Sequence, residues 1–240
     1  MVNEGIASDR QRRKDEIEKR LLDIRHHLPT HVQLIVVTKN FPASDVEILY
    51  ELGERNFGEN RVQELVAKRA LLSEEINREC TWHYQGQIQG NKVPALNRSA
   101  DVIHSVDTER IAERLDPSKK VFLQVNLDPQ GVDALGEESQ LRAGIDPSNV
   151  TSFAKRLYER FGSNFLGVMG IAPHFPGITK KDVVLAFSKL RGLSESITEF
   201  APSAHFISAG MSDDYREALA AGATHIRLGS SILGSRSGNA

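Results

Sequence analysis

Cysteine is almost missing from this 240-residue chain. Cys80 is the only one, which excludes an internal disulfide and any zinc site built from several thiolates. No run of about eighteen apolar residues occurs, so no membrane-spanning helix is expected, and Met1 to Lys14 lack the apolar stretch of a signal peptide. An excess of one charge is lacking too. Thirty Lys and Arg against 32 Asp and Glu leave a net charge of -2, without the basic surplus that a nucleic-acid footprint needs. The sequence has no G-x-G-x-x-G turn after its first apolar run, no H-E-x-x-H and no paired C-x-x-C. With no low-complexity tract or Pro/Gly/Ser-rich linker, residues 1–240 read as one domain in the cytoplasm, free of membrane and nucleic-acid partners.

What is present is an alternation. Residues Leu34 to Val37 form an apolar run suited to a strand buried on both faces, and it ends on Thr38, Lys39 and Asn40. Before it, Ile17, Leu21, Leu22, Ile24 and Leu28 recur at helical spacing after a Ser8 or Asp9 cap, among charges that suit a solvated face. Further strands are expected at Arg55–Phe57, Thr81–Gly86, Asp101–Asp107, Val121–Leu127, Phe165–Ile171, Ala204–Ser208 and Thr224–Gly229. Helices are expected between most of them, including one from Arg61 to about Ile76 and one capped by Asp107 or Thr108, with a long loop over Asp128 to Gly144. Eight βα units in this length predict a single (β/α)8 barrel, an α/β fold with an extra N-terminal helix.

In such a barrel, chemistry sits at the carboxyl ends of the strands. Lys39 occupies such an end, either as the residue where a strand meets water or as an amine able to attack a carbonyl and form a Schiff base. Ser208 to Ser212 follow the seventh strand, and Gly229 and Ser230 follow the eighth, where barrels commonly bind phosphate; ordinary turn chemistry is the other reading. Arg227, alternating with Ile226 and Leu228, needs a partner if it points inward, whether a bound anion, a heterocycle nitrogen or an acid such as Asp213 or Asp214. His83 and His104 match no metal spacing and read as packed or mouth-lining residues.

Taken together, VVTKN around Lys39, FGENRVQELVAK from Phe57 to Lys68, WHYQGQIQGNK from Trp82 to Lys92, HSVD from His104 and SAGMSDDYREALAAGATHIRLGSSILG from Ser208 to Gly234 resemble the pyridoxal-phosphate homeostasis protein family. That family is similar to the N-terminal barrel domain of alanine racemase, and the matches span nearly the whole chain. The resemblance implies that pyridoxal 5′-phosphate sits at the barrel mouth. Lys39 matches the lysine of the internal aldimine, Asn60 a residue beside the ring hydroxyl, Ser208, Gly229 and Ser230 phosphate contacts, and Arg227 the arginine facing the pyridine nitrogen.

An arginine at that position disfavours pyridine protonation and so weakens the ring as an electron sink. The resemblance further implies a non-catalytic carrier that buffers the reactive aldehyde and passes it to pyridoxal-phosphate-dependent apo-enzymes; a monomer is the expected state. No catalytic residue and no metal ligand is assigned. Since the chain is expected to end directly after the barrel, the second acid/base group that alanine racemase takes from another domain is not expected, and racemase activity should be weak or absent. The alternative is a small pyridoxal-phosphate-dependent amino-acid racemase with Lys39 as one base and a mouth residue such as His83 as the other. A third reading is a barrel with no cofactor. Departures from the family pattern fall at Gln85, in GIAPHFPGI from Gly170 to Ile178, and at Arg142-Ala143-Gly144, where the family has Lys-x-Gly.

Overall fold

The computed structural model describes residues 2–128, 143–173 and 177–235, with side chains from residue 7 onward. Most of the loop read over Asp128 to Gly144, Arg142 included, and the centre of GIAPHFPGI lie outside the described residues. The strands are β1 (Gln33–Val37), β2 (Asn56–Glu59), β3 (Thr81–Tyr84), β4 (Val102–Val106), β5 (Lys120–Val125), β6 (Phe165–Gly170), β7 (Phe206–Ser208) and β8 (His225–Leu228). They pair in sequence order, all parallel, and β1 closes on β8 with Ile35 opposite Arg227. The closed (β/α)8 barrel expected from the alternation is what forms, and its inner layers are filled by side chains such as Ile35, Phe122 and Met169. Between β6 and β7 the strands come close at Gly167, whose φ is +143° and where a Cβ would lie 2.0 Å from Phe206 O.

The helices are α1 (Val2–His27), α2 (Ala43–Glu51), α3 (Val62–Leu71), α4 (Glu74–Glu79), α5 (Val93–Ser99), α6 (Glu109–Ala112), α7 (Val150–Phe161), α8 (Lys180–Thr198), α9 (Tyr215–Ala220) and α10 (Ser230–Leu233). Three expectations are corrected. Helix α1 begins at Val2 rather than at Ser8 or Asp9, and Asp9 instead pairs with Arg12 one turn on. The single helix expected from Arg61 to Ile76 is two, because Leu72 turns extended and Ser73 caps α4, its hydroxyl accepting from Ile76 N at 3.2 Å. Thr108, one of the two caps expected, does take the cap position of α6, but its side chain makes no cap bond and the helix ends at Ala112 rather than at Leu115.

Helix α8 is the best-defined start: Thr179 and Asp182 form a reciprocal capping box. No helix among the described residues is long and apolar enough to cross a membrane.

Candidate functional site

The site begins where β1 stops. Four buried aliphatic residues end at Val37, and the chain then turns through Thr38, Lys39 and Asn40. Asn40 has φ 62°, the left-handed region that a short amide side chain tolerates better than most residues. The turn is fastened from behind. Lys68 on α3 donates to Thr38 O at 2.8 Å, and Asn40 N donates to Glu64 Oε1. Lys68 also pairs with Glu59, which is fully buried and accepts from Thr38 Oγ1 at 2.5 Å. Burial pushes the Glu59 carboxyl up, and Lys68 beside it acts against that. Among the described residues nothing pairs with the Lys39 amine, which is left facing a cavity of about 630 Å³.

Lys39, Asn60, Gln85, Arg227, Gly229 and Ser230 all line that cavity. Asn60 Oδ1 and Gln85 Nε2 are buried there without hydrogen-bond partners, a state that costs roughly 1–3 kcal/mol each unless a ligand supplies the bond. The loop after β7 is drawn in by Gly210, at φ +92°, because a Cβ there would lie 2.9 Å from Tyr215 Cα. It delivers Ser212, whose Oγ accepts from Ser230 Oγ at 3.0 Å and lies 3.2 Å from Ser231 Oγ. Three hydroxyls, one from the loop after β7 and two from the start of α10, thus meet here.

Arg227 reaches the cavity from β8 with a side chain only 3% exposed overall. Of the partners the sequence leaves open, neither Asp213 nor Asp214 bonds it. Its Nη1 donates to Ser208 Oγ at 2.8 Å and its Nη2 to Gly170 O at 3.1 Å. Burial pushes the guanidinium down to about 10, with nearby Asp214 acting against the shift, so it stays a cation at neutral pH.

Ser208 is fully buried and is not among the cavity's lining residues. The mouth hydroxyl is Ser212, four positions on. It lies in the same stretch that the sequence marks, but the strand ends at Ser208, and only the loop beyond it rises to the mouth. His83 and His104 are packed inside the barrel rather than at its mouth, 3% and 0% exposed. Burial holds His83 down at about 3, helped by His225 and Lys120, and holds His104 well below its ordinary value, helped by His83 and Arg227. No group of three or more His, Cys, Asp or Glu suited to a metal occurs among the described residues.

Residues 13–237 match the family described as alanine racemase, N-terminal domain. A Mycobacterium tuberculosis protein named pyridoxal phosphate homeostasis protein is 34% identical over 228 residues, spanning 85% of this chain and 83% of that one. The chain belongs to the pyridoxal phosphate homeostasis protein family. PipY of Synechococcus elongatus, solved with PLP bound, superposes with a TM-score of 0.76 at 35% identity, covering 91% of this chain and 100% of that one. Alanine racemase from E. faecalis shares the fold, with a TM-score of 0.67 at 14% identity; the match covers 95% of this chain and 59% of that one.

Proposed function

We propose that the chain binds pyridoxal 5′-phosphate (PLP) in the Lys39 cavity and serves PLP homeostasis, with residues 1–240 acting as one PLP-binding barrel domain. One observation carries the reading: a lysine amine without a partner, a buried arginine and a cluster of serine hydroxyls line a single cavity. Chemically these fit the three handles of the cofactor. The amine of Lys39 suits the aldehyde, Ser212, Ser230 and the backbone at Gly229 suit the phosphate, and the Arg227 guanidinium suits the ring nitrogen. The unpartnered Asn60 Oδ1 and Gln85 Nε2 supply an acceptor and a donor for the ring hydroxyl's side. When bound, the cofactor supplies an electrophilic aldehyde that condenses reversibly with amines.

The protein's own contribution is to hold and shield that group. Lys39 anchors it on a turn fixed by Lys68 and Glu64, the mouth serines and Gly229 orient the phosphate, and Arg227 keeps a positive charge toward the nitrogen, which disfavours its protonation. We read the protein as a cytoplasmic, monomeric carrier without enzymatic turnover that hands PLP to apo-enzymes. Ser208, expected as a phosphate contact, is better suited to supporting Arg227. The racemase alternative is not favoured, because both ring nitrogens of His83 are engaged inside the barrel, with His104 at 2.9 Å and Asn56 at 3.0 Å.

An absorbance spectrum of protein loaded with PLP, taken before and after borohydride and followed by peptide mapping, tests the binding. A visible band lost on reduction with the label on Lys39 is the expected outcome, and Lys39→Ala should abolish both. Retention of the band and label in that variant counts against the assignment. Solvent-deuterium exchange at the α-carbon of alanine or serine should proceed far below enzyme rates, and enzyme-like exchange would restore the racemase reading.

A further inference from the structure

Behind the cavity, the wall continues into the barrel interior as a single file of polar side chains drawn from five strands. Arg227 of β8 meets Ser208 of β7 at 2.8 Å. Ser208 Oγ lies 2.9 Å from Nδ1 of His104 on β4, and His104 Nε2 lies 2.9 Å from Nδ1 of His83 on β3. His83 Nε2 lies 3.0 Å from Oδ1 of Asn56 on β2, where the file ends. His104 is further held by stacking on Phe122, with ring centroids 4.5 Å apart and planes at 17°.

The direction of every bond in this file follows from one constraint. A guanidinium only donates, so Ser208 Oγ accepts from Arg227. Ser208 is fully buried, and its hydroxyl proton needs an acceptor; His104 Nδ1 is within reach and takes that role. His104 therefore carries its proton on Nε2 and donates it to His83 Nδ1. By the same step His83 carries its proton on Nε2 and donates to Asn56 Oδ1. No carboxylate stands in the file, so it offers Arg227 an acceptor without neutralising its charge.

We propose that His83 and His104, acting through Ser208, are positioning residues that aim the Arg227 guanidinium into the cavity and fix it as a donor-only cation toward the bound cofactor. The proposal rests on the reading that PLP occupies this cavity. Arginine has several rotatable bonds, and the Ser208 and Gly170 oxygens give its two amino groups fixed directions, leaving its remaining donor edge to the ligand. Each histidine can serve only in one tautomer, since reversing either would leave two donors or two acceptors facing each other.

Two measurements test this on the full-length protein. In the cofactor-free wild type, long-range ¹⁵N-imidazole NMR at pH 7 should show both His83 and His104 neutral and protonated on Nε2; an Nδ1–H tautomer or an imidazolium at either overturns the file. In the second, Ser208→Ala should still fold, with a thermal midpoint a few degrees below that of the wild type because Arg227 Nη1 and His104 Nδ1 lose their buried partner. It should bind PLP about tenfold more weakly and shift the absorbance band of the bound cofactor, while borohydride still labels Lys39. Ser208→Thr, which keeps the hydroxyl, should recover the wild-type band. Wild-type affinity and an unshifted band in Ser208→Ala overturn the positioning role. A wild-type protein that takes up no PLP removes the functional reading and the cofactor half of the proposal together, and the tautomer result still judges the file by itself.

Discussion

Lys68 shows at the scale of one residue how the anchor is held. It is 5% exposed on α3, yet its amine reaches Thr38 O, Glu59 and Glu64, so the turn presenting Lys39 hangs on a buried ion cluster. A buried pair adds little net stability over apolar residues, but removing one partner leaves the other charge stranded. Lys68→Met is therefore expected to lower unfolding stability by about 3–5 kcal/mol in urea titration, and adding Glu59→Gln to it should recover most of that loss. A double variant as unstable as the single one would sink the ion-cluster account. In the sequence Lys68 is one letter of FGENRVQELVAK; nothing local says whether a helical lysine turns outward to water or inward to a strand carbonyl. Ser208 and Ser212 make the same point. Both are legible as hydroxyls near a strand end, and only the depth of each decides which one meets the mouth.

Helix α1 is the element whose pattern was easiest to read and whose charges were hardest. Ile17, Leu21 and Ile24 are buried as the helical period requires, while Leu22 points out at 63% exposure. Arg12 stays exposed as a solvated face requires and pairs only with Asp9, but other basic residues of α1 pair with α2 and the residues just after it. Arg10 and Lys14 meet Glu51, Arg13 meets the buried Asp45 at 2.6 Å, and Arg25 meets the buried Glu54. These pairs are partly solvated and orient the helix more than they stabilise it; the apolar seam supplies the larger share. Ile17→Ala should cost about 2–5 kcal/mol, and Leu22→Ala should stay within about 0.5 kcal/mol, both read from denaturant midpoints. Comparable losses at the two positions would mean that the exposed side of α1 is covered in solution. The break between α3 and α4 escaped the sequence reading because serine is tolerated within helices as well as at caps, and its role depends on the backbone around it.

At the scale of the whole barrel, its buried histidines couple folding to pH. His83 and His104 are held neutral inside, below the ordinary value of 6.5, with His83 at about 3. Between those values the unfolded chain binds more protons than the folded one, so their contribution is full above about pH 6.5 and is lost as pH falls through the window. Each imidazole adds up to about 1.4 kcal/mol per pH unit to that loss. Glu59, Asp107 and Asp214, pushed up by burial, work in the opposite sense, so the histidine share is isolated by comparison. Unfolding free energies from urea titration should fall for the wild type as pH goes from 6.5 to 5, and those of His83→Gln should fall less steeply, by up to about 1.4 kcal/mol per unit; parallel slopes would show that His83 is not held neutral. By itself the sequence determined eight βα units and a lysine at the first strand's end, because apolar runs, helical periods and turn residues act over a few neighbours. The tertiary structure alone decided which side chains share a space. His104 and Ser208 stand 104 positions apart and bond only because the barrel closes, and whether a strand residue faces inward or rises to the mouth is set by register and strand end, where a slip of one residue reverses every side chain.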